Sequence, residues 1–328
     1  MRCTTRNDRA GGRRPVLDRA VTTRWLFWLL AIGGSYQAVG ATEPPGKKYL
    51  IIHADDAGMS HSVNAATIEA IQRGVVSSAS IMVPCPWFSE FAEYCRAHPQ
   101  GDYGIHLTLN AEWKHYRWGP VAPRAQVPSL IDPEGHLWAN VQQVAQHVKA
   151  KEVAIELRAQ IDRAVRFGIP LSHLDTHMGA LASRPDLLEI YVQLGLEYDL
   201  PVLFVRDTRD PAVQNYPAFA ERGPALLKQL DARRLPVVDR LARFSGGDTH
   251  QVRRANYLKT LRGLQPGVTE LIIHCGYDNQ ELRAITHSAA RRDSDRRTSS
   301  DPDVASLIRE LGIEVISWRQ FRKLAVPQ

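Results

Sequence analysis

Four apolar runs in this chain end in carboxylates or histidines, and no other feature constrains the fold as strongly. The first run leads directly into Asp55 and Asp56, and three later runs end in His106, His177 and His274. Two adjacent carboxylates at the end of a buried strand repel each other and lose hydration, so a partner such as a metal ion must neutralise them. We therefore expect the four strand ends to form one catalytic edge.

Apolar runs rich in β-forming residues alternate with amphipathic segments from residue 49 to residue 318. The predicted strands are 49–54, 77–84, 102–109, 171–176, 201–206, 235–238, 269–275 and 313–318. The predicted helices are 61–73, 87–97, 140–167, 185–198, 218–231, 252–263 and 301–311. This alternation is typical of an α/β fold with a parallel sheet. Because the acids and histidines follow the carboxyl ends of strands, we predict a TIM-like (β/α) barrel of seven or eight parallel strands, forming a single domain over residues 47–325.

The N-terminal residues 1–41 are typical of a secretory signal peptide. An arginine-rich segment precedes a short apolar stretch, and small residues then lead to Ala41. The apolar stretch is shorter than the roughly 20 residues that span a bilayer, so an uncleaved membrane anchor is the weaker alternative. We predict an exported protein, periplasmic or secreted, with no stable membrane insertion after cleavage.

Charge and cysteine content bear on three further classes of site. The net charge of +6 is mild, and basic residues do not alternate with aromatic ones, so we predict no nucleic-acid partner. Export would permit a disulfide between Cys85 and Cys95, whereas the absence of a CxxC pair argues against a zinc–thiolate site. The sequence carries no signal for an oligomeric state.

The connection 110–140 is long for a compact domain and contains several aromatic residues. Loops of this length often act as functional lids, and exposed aromatic rings stack on the apolar faces of sugars. Trp113 and Trp118 are therefore candidate substrate-binding residues, with packing of the same rings onto the barrel as the alternative. A role in substrate binding predicts that Trp113→Ala or Trp118→Ala raises KM more than it lowers kcat.

A carboxylate and two imidazoles are a common ligand set for a catalytic divalent ion. Such an ion activates water, a neighbouring carboxylate accepts the proton, and a histidine protonates the leaving group or holds the oxyanion. Asp55, Asp56, His106, His177 and His274 could fill these roles, and their residue types alone leave the assignment open. The set suits Zn²⁺, with Mg²⁺, Mn²⁺ and Co²⁺ as alternatives.

Five short motifs occur in order along the chain: 53–60 (HADDAGMS), 77–80 (SSAS), 104–109 (GIHLTL), 173–177 (HLDTH) and 274–277 (HCGY). Together they resemble the YdjC-like carbohydrate deacetylase family, which includes chitooligosaccharide deacetylases. The resemblance implies a distorted (β/α) barrel. It also implies a metal-dependent hydrolase that removes acetyl groups from acetylated amino sugars or oligosaccharides.

The resemblance further assigns roles to the residues that match these motifs. Asp56, His106 and His177 are then the metal ligands, and Asp55 is the general base. His274 would serve as the acid or as the oxyanion partner.

Two further residues of the fourth motif lie beside the implied ligands. Asp175 would orient a ligand imidazole, and His173, which strand alternation places on the same face, has an open role. The chain departs from the common family pattern at His53, where asparagine is frequent, and at 178–181, where many relatives carry more histidines.

Two other functions stay open at this point. A phosphoesterase or amidohydrolase on the same barrel would also use a metal, but such enzymes usually carry His-x-His on the first strand, where this chain has His53-Ala54-Asp55. A catalytically silent sugar-binding protein has no need of a base beside a metal, whereas this chain retains both Asp55 and Asp56.

Overall fold

β1, Lys48–Ala57, is the central strand of a seven-stranded parallel sheet in the computed structural model, which describes residues 46–207, 210–211, 213–243 and 246–325. The other strands are β2 (Ser78–Ile81), β3 (Tyr103–Leu107), β4 (Leu171–Thr176), β5 (Arg240–Arg243), β6 (Gly267–Ile273) and β7 (Ile313–Val315). Their order is β4-β3-β2-β1-β6-β5, and β7 pairs with the first residues of β1. From Leu50 onward every residue of β1 is buried, as expected for a parallel strand covered on both faces.

Helices surround this sheet. They are α1 (His61–Arg73), α2 (Phe88–Ala97), α3 (Val141–His147), α4 (Ala150–Arg166), α5 (Pro185–Tyr198), α6 (Pro217–Ala232), α7 (His250–Arg262), α8 (Gln280–Ile285), α9 (Ala289–Ser299), α10 (Pro302–Glu310) and α11 (Trp318–Ala325). Ser60 caps α1 by accepting from the backbone N–H of Val63. Asp301 caps α10, with Pro302 in its first turn. These caps pair backbone donors that the first turn of a helix leaves free.

Isolated bridges continue the sheet from β4 round to β5. Leu174 of β4 pairs with Val202, and Val205 pairs with Val238, which lies just before β5. All of these pairings are parallel. Because the bridges connect β4 and β5, the two ends of the strand order, the strands form a distorted barrel rather than an open sheet. The prediction of an α/β barrel with seven or eight parallel strands is confirmed.

Two of the predicted strands are wrong in extent. The segment 201–206 makes two isolated bridges, at Val202 and Val205, and the segment 235–238 makes one, at Val238. The strand β5 lies beyond the second segment. Its two arginines are exposed, and a search for continuous apolar runs therefore passes over it.

The predicted helices differ from the structure near residue 148 and towards the C-terminus. The predicted helix 140–167 is two helices, because Val148 adopts an extended conformation between α3 and α4 and its side chain is buried. The sequence did not predict α8, α9 or α11. Of these, α9 is strongly polar, so it lacks the apolar stripe on which a helix prediction depends.

Two predictions concern export. The predicted signal peptide, residues 1–41, lies outside the described residues. Among the described helices, none combines the length and the apolar character needed to cross a bilayer. Cys85 and Cys95 are buried free thiols, so the disulfide considered from the sequence is not formed.

Candidate active site

Three potential metal ligands, called here the ligand group, meet at the carboxyl edge of the barrel: Asp56 of β1, His106 of β3 and His177, which directly follows β4. Asp56 Oδ1 lies 3.4 Å from His106 Nε2 and 3.3 Å from His177 Nδ1. The two histidine nitrogens are 3.1 Å apart. A tetrahedral ion with bonds of about 2.0–2.1 Å places its ligand atoms roughly 3.3–3.4 Å from one another. The spacing of these three atoms therefore fits one divalent ion.

The burial of the ligand group also supports a divalent ion at this position. Asp56, His106 and His177 are all buried, and Asp56 Oδ1 has no hydrogen-bond donor among the described residues. A buried carboxylate oxygen without a donor is costly, because nothing replaces the water that it lost. A cation at this position would remove that cost.

The position of Asp56 depends on an irregularity near the end of β1. The pairing of β1 with β2 shifts between Ala54 and Ala57, and Asp56 adopts a φ of 69°. Left-handed backbone at a non-glycine residue costs about 1–3 kcal/mol and persists only where its surroundings enforce it. Here the backbone N–H of Gly58 donates to Asn64 Oδ1 at 2.6 Å, which holds the turn after Asp56.

Asp55 lies beside the ligand group, and its carboxylate approaches the same His106 nitrogen as that of Asp56. Its Oδ2 is 3.9 Å from His106 Nε2 and 3.7 Å from His274 Nε2, while its Oδ1 is 3.2 Å from His53 Nε2. Asp55 is 6% exposed, whereas the His274 side chain is 43% exposed. An acid that is nearly dry and close to three imidazoles can exchange a proton with a group bound in front of it.

Asp175 connects the ligand group to the interior of the barrel. Its Oδ1 accepts from His106 Nδ1 at 2.7 Å, and its Oδ2 accepts from His53 Nε2 at 2.9 Å. This contact leaves His106 Nε2 facing Asp56. Burial alone would raise the pKa of Asp175, but His106 and His53 outweigh burial and hold that pKa well below its usual value.

Sequence reasoning did not identify two charged residues that contact the ligand group. Arg292 Nη2 donates to Asp56 Oδ2 at 2.6 Å, and Glu112 lies 3.1 Å from His177 Nε2. Burial opposes protonation of His177, but Glu112 and Asp56 outweigh it and raise its pKa to about 9. No local signal identifies either residue, since Arg292 is on α9 and Glu112 is in the loop that follows β3.

The ligand group opens into a cavity of about 650 Å³. Of the residues predicted from the sequence to form the site, six line this cavity: Asp55, Asp56, His106, Trp113, His177 and His274. Asp175 lies behind His106 and does not reach the cavity wall. The volume falls within the range of about 300–1,000 Å³ that is usual for small-molecule sites.

Two further predicted site residues, His173 and Trp118, also do not reach the cavity. His173 is fully buried, stacks on Trp318 at 5.2 Å between ring centroids, and contacts Ser172 Oγ at 2.8 Å. Trp118 is 3% exposed and packs against Trp113 at 5.4 Å. Trp118 therefore packs within the protein, which is the alternative to substrate binding given above, whereas Trp113 faces the cavity.

Comparison with known proteins gives the family. A family model described as YdjC-like protein matches residues 49–310. The chain belongs to the YdjC-like protein family. It is 28% identical over 271 residues to the carbohydrate deacetylase of Thermoanaerobacter pseudethanolicus, which covers 83% of this chain and 98% of the relative. It is 31% identical over 278 residues to the carbohydrate deacetylase of Thermus thermophilus, with 85% and 95% covered.

A solved structure supports the fold of this YdjC-like chain. The crystal structure of a protein from Enterococcus faecalis V583 matches with a TM-score of 0.70 and 25% sequence identity. The match covers 84% of this chain and 98% of that protein. The family that the five motifs predict is confirmed by the family model and by the two relatives, and the solved structure supports the fold.

Proposed function

We propose that this chain is a metal-dependent carbohydrate deacetylase that removes acetyl groups from acetylated amino sugars or oligosaccharides. The observation that carries the proposal is the buried group of Asp56, His106 and His177 with the carboxylate of Asp55 beside it at the wall of the cavity. Two relatives named carbohydrate deacetylases are matched over nearly their whole length, which supports the same reaction.

Asp56, His106 and His177 would hold the metal ion. One carboxylate and two imidazoles suit Zn²⁺, with Mg²⁺, Mn²⁺ and Co²⁺ as alternatives. When bound, such an ion lowers the pKa of water and polarises a carbonyl. Arg292 holds the second oxygen of Asp56 by a 2.6 Å hydrogen bond, and this contact keeps the first oxygen turned towards the histidines.

The remaining side chains divide the proton transfers between them. Asp55 Oδ2 faces His106 and His274 and accepts a proton from the attacking water. The hydroxyl adds to the acetyl carbon, and the bond from that carbon to nitrogen breaks. Asp55 passes the proton it accepted to His274, whose Nε2 lies 3.7 Å from Asp55 Oδ2, and His274 delivers that proton to the leaving amine. Arg292 Nη1 is buried without a hydrogen-bond partner among the described residues and donates to the oxyanion.

The first test is acetate release from a panel of acetylated sugars, measured with the purified mature chain. The panel includes chitooligosaccharides and O-acetylated glycans, each assayed before chelation, after chelation and after metal is returned. We expect release that stops with the chelator and returns with the metal. A metal-loaded protein that releases no acetate from any sugar would favour a phosphoesterase or a silent binding protein instead.

The second test separates the general base from the metal ligands. Asp55→Asn should retain stoichiometric metal by elemental analysis and lose about 10²–10⁴-fold in kcat. Asp303→Asn is the matched control, since the Asp303 side chain is 80% exposed and on the outer helix α10. Near-native turnover by the Asp55 variant would show that another group accepts the proton.

We further propose that the chain is exported and that residues 1–41 are removed. The support is the order of a basic segment, a short apolar stretch and small residues in the sequence. N-terminal sequencing of the mature protein should begin near residue 41 or 42. An intact Met1 would contradict cleavage.

A further inference from the structure

The cavity has two walls of different chemistry. One wall carries the carboxylates and imidazoles described above, and further polar side chains also line the cavity, among them Tyr216, Arg243 and Arg291. The other, called here the apolar wall, consists of Leu203, Val205, Phe219, Leu241 and Ile272. Met178 and Ala182 add further apolar surface, and both follow His177 in or next to the segment where the chain departs from the histidine-rich family pattern.

The apolar wall extends inward from the catalytic edge. Ile272 of β6 lies two residues before His274, which directly follows the strand, and both side chains line the cavity. Successive strand residues rise by about 3.3 Å, which places Ile272 roughly 6–7 Å deeper in the barrel than His274. Leu241 of β5 is paired with Glu270, two residues deeper again. Ile272 and Leu241 therefore lie at the floor of the cavity, beneath the reacting groups.

A sugar ring does not match this floor. Each buried hydroxyl needs a hydrogen-bond partner, and an unpaired one costs about 1–3 kcal/mol. The side chains of the apolar wall offer no donor or acceptor. The polar ring of the substrate therefore lies towards the mouth of the cavity, and the group attached to the reacting carbonyl carbon extends down to the floor.

We propose that this site hydrolyses N-acyl amino sugars whose acyl chain is longer than acetyl. The inference rests on the proposed function, because it uses the same metal ligands and the same base. Water supplies a hydroxyl to the acyl carbon and a proton to the nitrogen, the carbon–nitrogen bond breaks, and the products are a fatty carboxylate and a free amino sugar. Each methylene placed against the floor raises kcat/KM by about fourfold until the floor is covered.

The test is a chain-length series with the native protein. Glucosamine carrying an acetyl, butyryl, hexanoyl or octanoyl group on nitrogen is assayed by release of the free amine, which is the same product throughout. We expect kcat/KM to rise from acetyl to hexanoyl. A steep fall from acetyl to butyryl, with acetate still released, would overturn the acyl-chain inference and leave the deacetylase proposal intact. No amine from any member would overturn the deacetylase proposal itself.

A second arm distinguishes the acyl chain from an alkyl group elsewhere on the sugar. The octyl β-glycoside of N-acetylglucosamine is compared with N-octanoylglucosamine. A rate enhancement confined to the glycoside would overturn the acyl assignment, because the apolar wall would then hold the aglycone. Binding to Asp55→Asn by calorimetry gives the same comparison without turnover, and tighter binding of N-octanoylglucosamine than of N-acetylglucosamine is expected.

Variants that fill the floor provide the third arm. Leu241→Phe and Ile272→Phe should each lower the ratio of kcat/KM for hexanoyl over acetyl substrate by tenfold or more. Leu227→Phe is the matched control, since Leu227 is a half-buried leucine of α6 that does not line the cavity. A hexanoyl-to-acetyl ratio that stays native in both floor variants, with folding verified by circular dichroism, would overturn the assignment of the floor.

Discussion

Glu270→Gln should make the stability of this protein less dependent on pH, because Glu270 is an acid buried inside the barrel. The residue lies on β6 below the cavity and is 0% exposed. Burial raises its pKa, His53 opposes the rise, and Asp175 and Asp55 add to it, so the pKa reaches about 8. The carboxyl is therefore protonated in the folded protein at neutral pH, whereas the unfolded chain ionises it near its ordinary pKa.

The sign and the size of the effect follow from this difference. Between about pH 4.5 and pH 8 the folded state binds a proton that the unfolded state has lost, so stability falls as pH rises. Each unit of pH costs about 1.4 kcal/mol, which amounts to about 2–3 kcal/mol between pH 5 and pH 7. The contribution is fully present below the unfolded pKa and is lost as pH rises through the folded pKa. Glutamine has a similar shape and no charge, so the variant lacks this pH-dependent contribution to the free energy of unfolding.

The assay is urea unfolding of the native chain and of Glu270→Gln at pH 5, 6, 7 and 8. We expect the free energy of unfolding of the variant, relative to the native chain, to increase steadily over this range. Glu314→Gln is the control, because Glu314 is an exposed glutamate of the short strand β7. Parallel curves for the native chain and Glu270→Gln would refute the reasoning, since they would mean that Glu270 is ionised in the folded state.

Three further expectations concern the site and its loop. Asp175→Asn should weaken Zn²⁺ binding about 10–100-fold, because Asp175 orients His106; native affinity by calorimetry would contradict this. Zn²⁺ binding should release protons, since His177 has a pKa of about 9 without an ion. Titrations in two buffers of different ionisation enthalpy measure that release, and identical apparent enthalpies would exclude it. Trp118→Ala should lower the free energy of unfolding by about 3–5 kcal/mol, whereas Trp113→Ala should mainly raise KM; equal unfolding midpoints in urea would contradict the difference.

The parts of the site that sequence reasoning located share a local signal. Asp56, His106 and His177 each follow or end an apolar run, and parallel strands bring their carboxyl ends to one edge of the barrel. Once the strands are recognised, the fold itself predicts that these residues meet. The positions of the strand ends therefore predict a candidate metal site, but they do not show which atoms would bind the metal.

The residues that sequence reasoning missed depend on packing between distant segments. Arg292 is 236 positions from Asp56 and reaches it from α9, a helix whose polar composition gives no amphipathic signal. Glu112 reaches His177 from a loop whose path no local pattern predicts. Trp118 and Trp113 are five residues apart with the same chemistry, and only the folded loop determines which ring is buried and which lines the cavity.

The charges in the barrel support the proposal that this site binds a cation. Asp55, Asp56 and Asp175 are buried together, and among the described residues Arg292 is the guanidinium that contacts this group. Burial opposes protonation of His53 and His106, yet the surrounding acids outweigh it and hold both pKa values well above the ordinary range. Without an ion, the acids are therefore neutralised by protons on the histidines. A divalent ion would replace the proton on His106, whereas the pair of His53 and Asp175 would keep its charge balance. Protons and metal thus compete for the same carboxylates, so the affinity of the site for a metal should rise with pH.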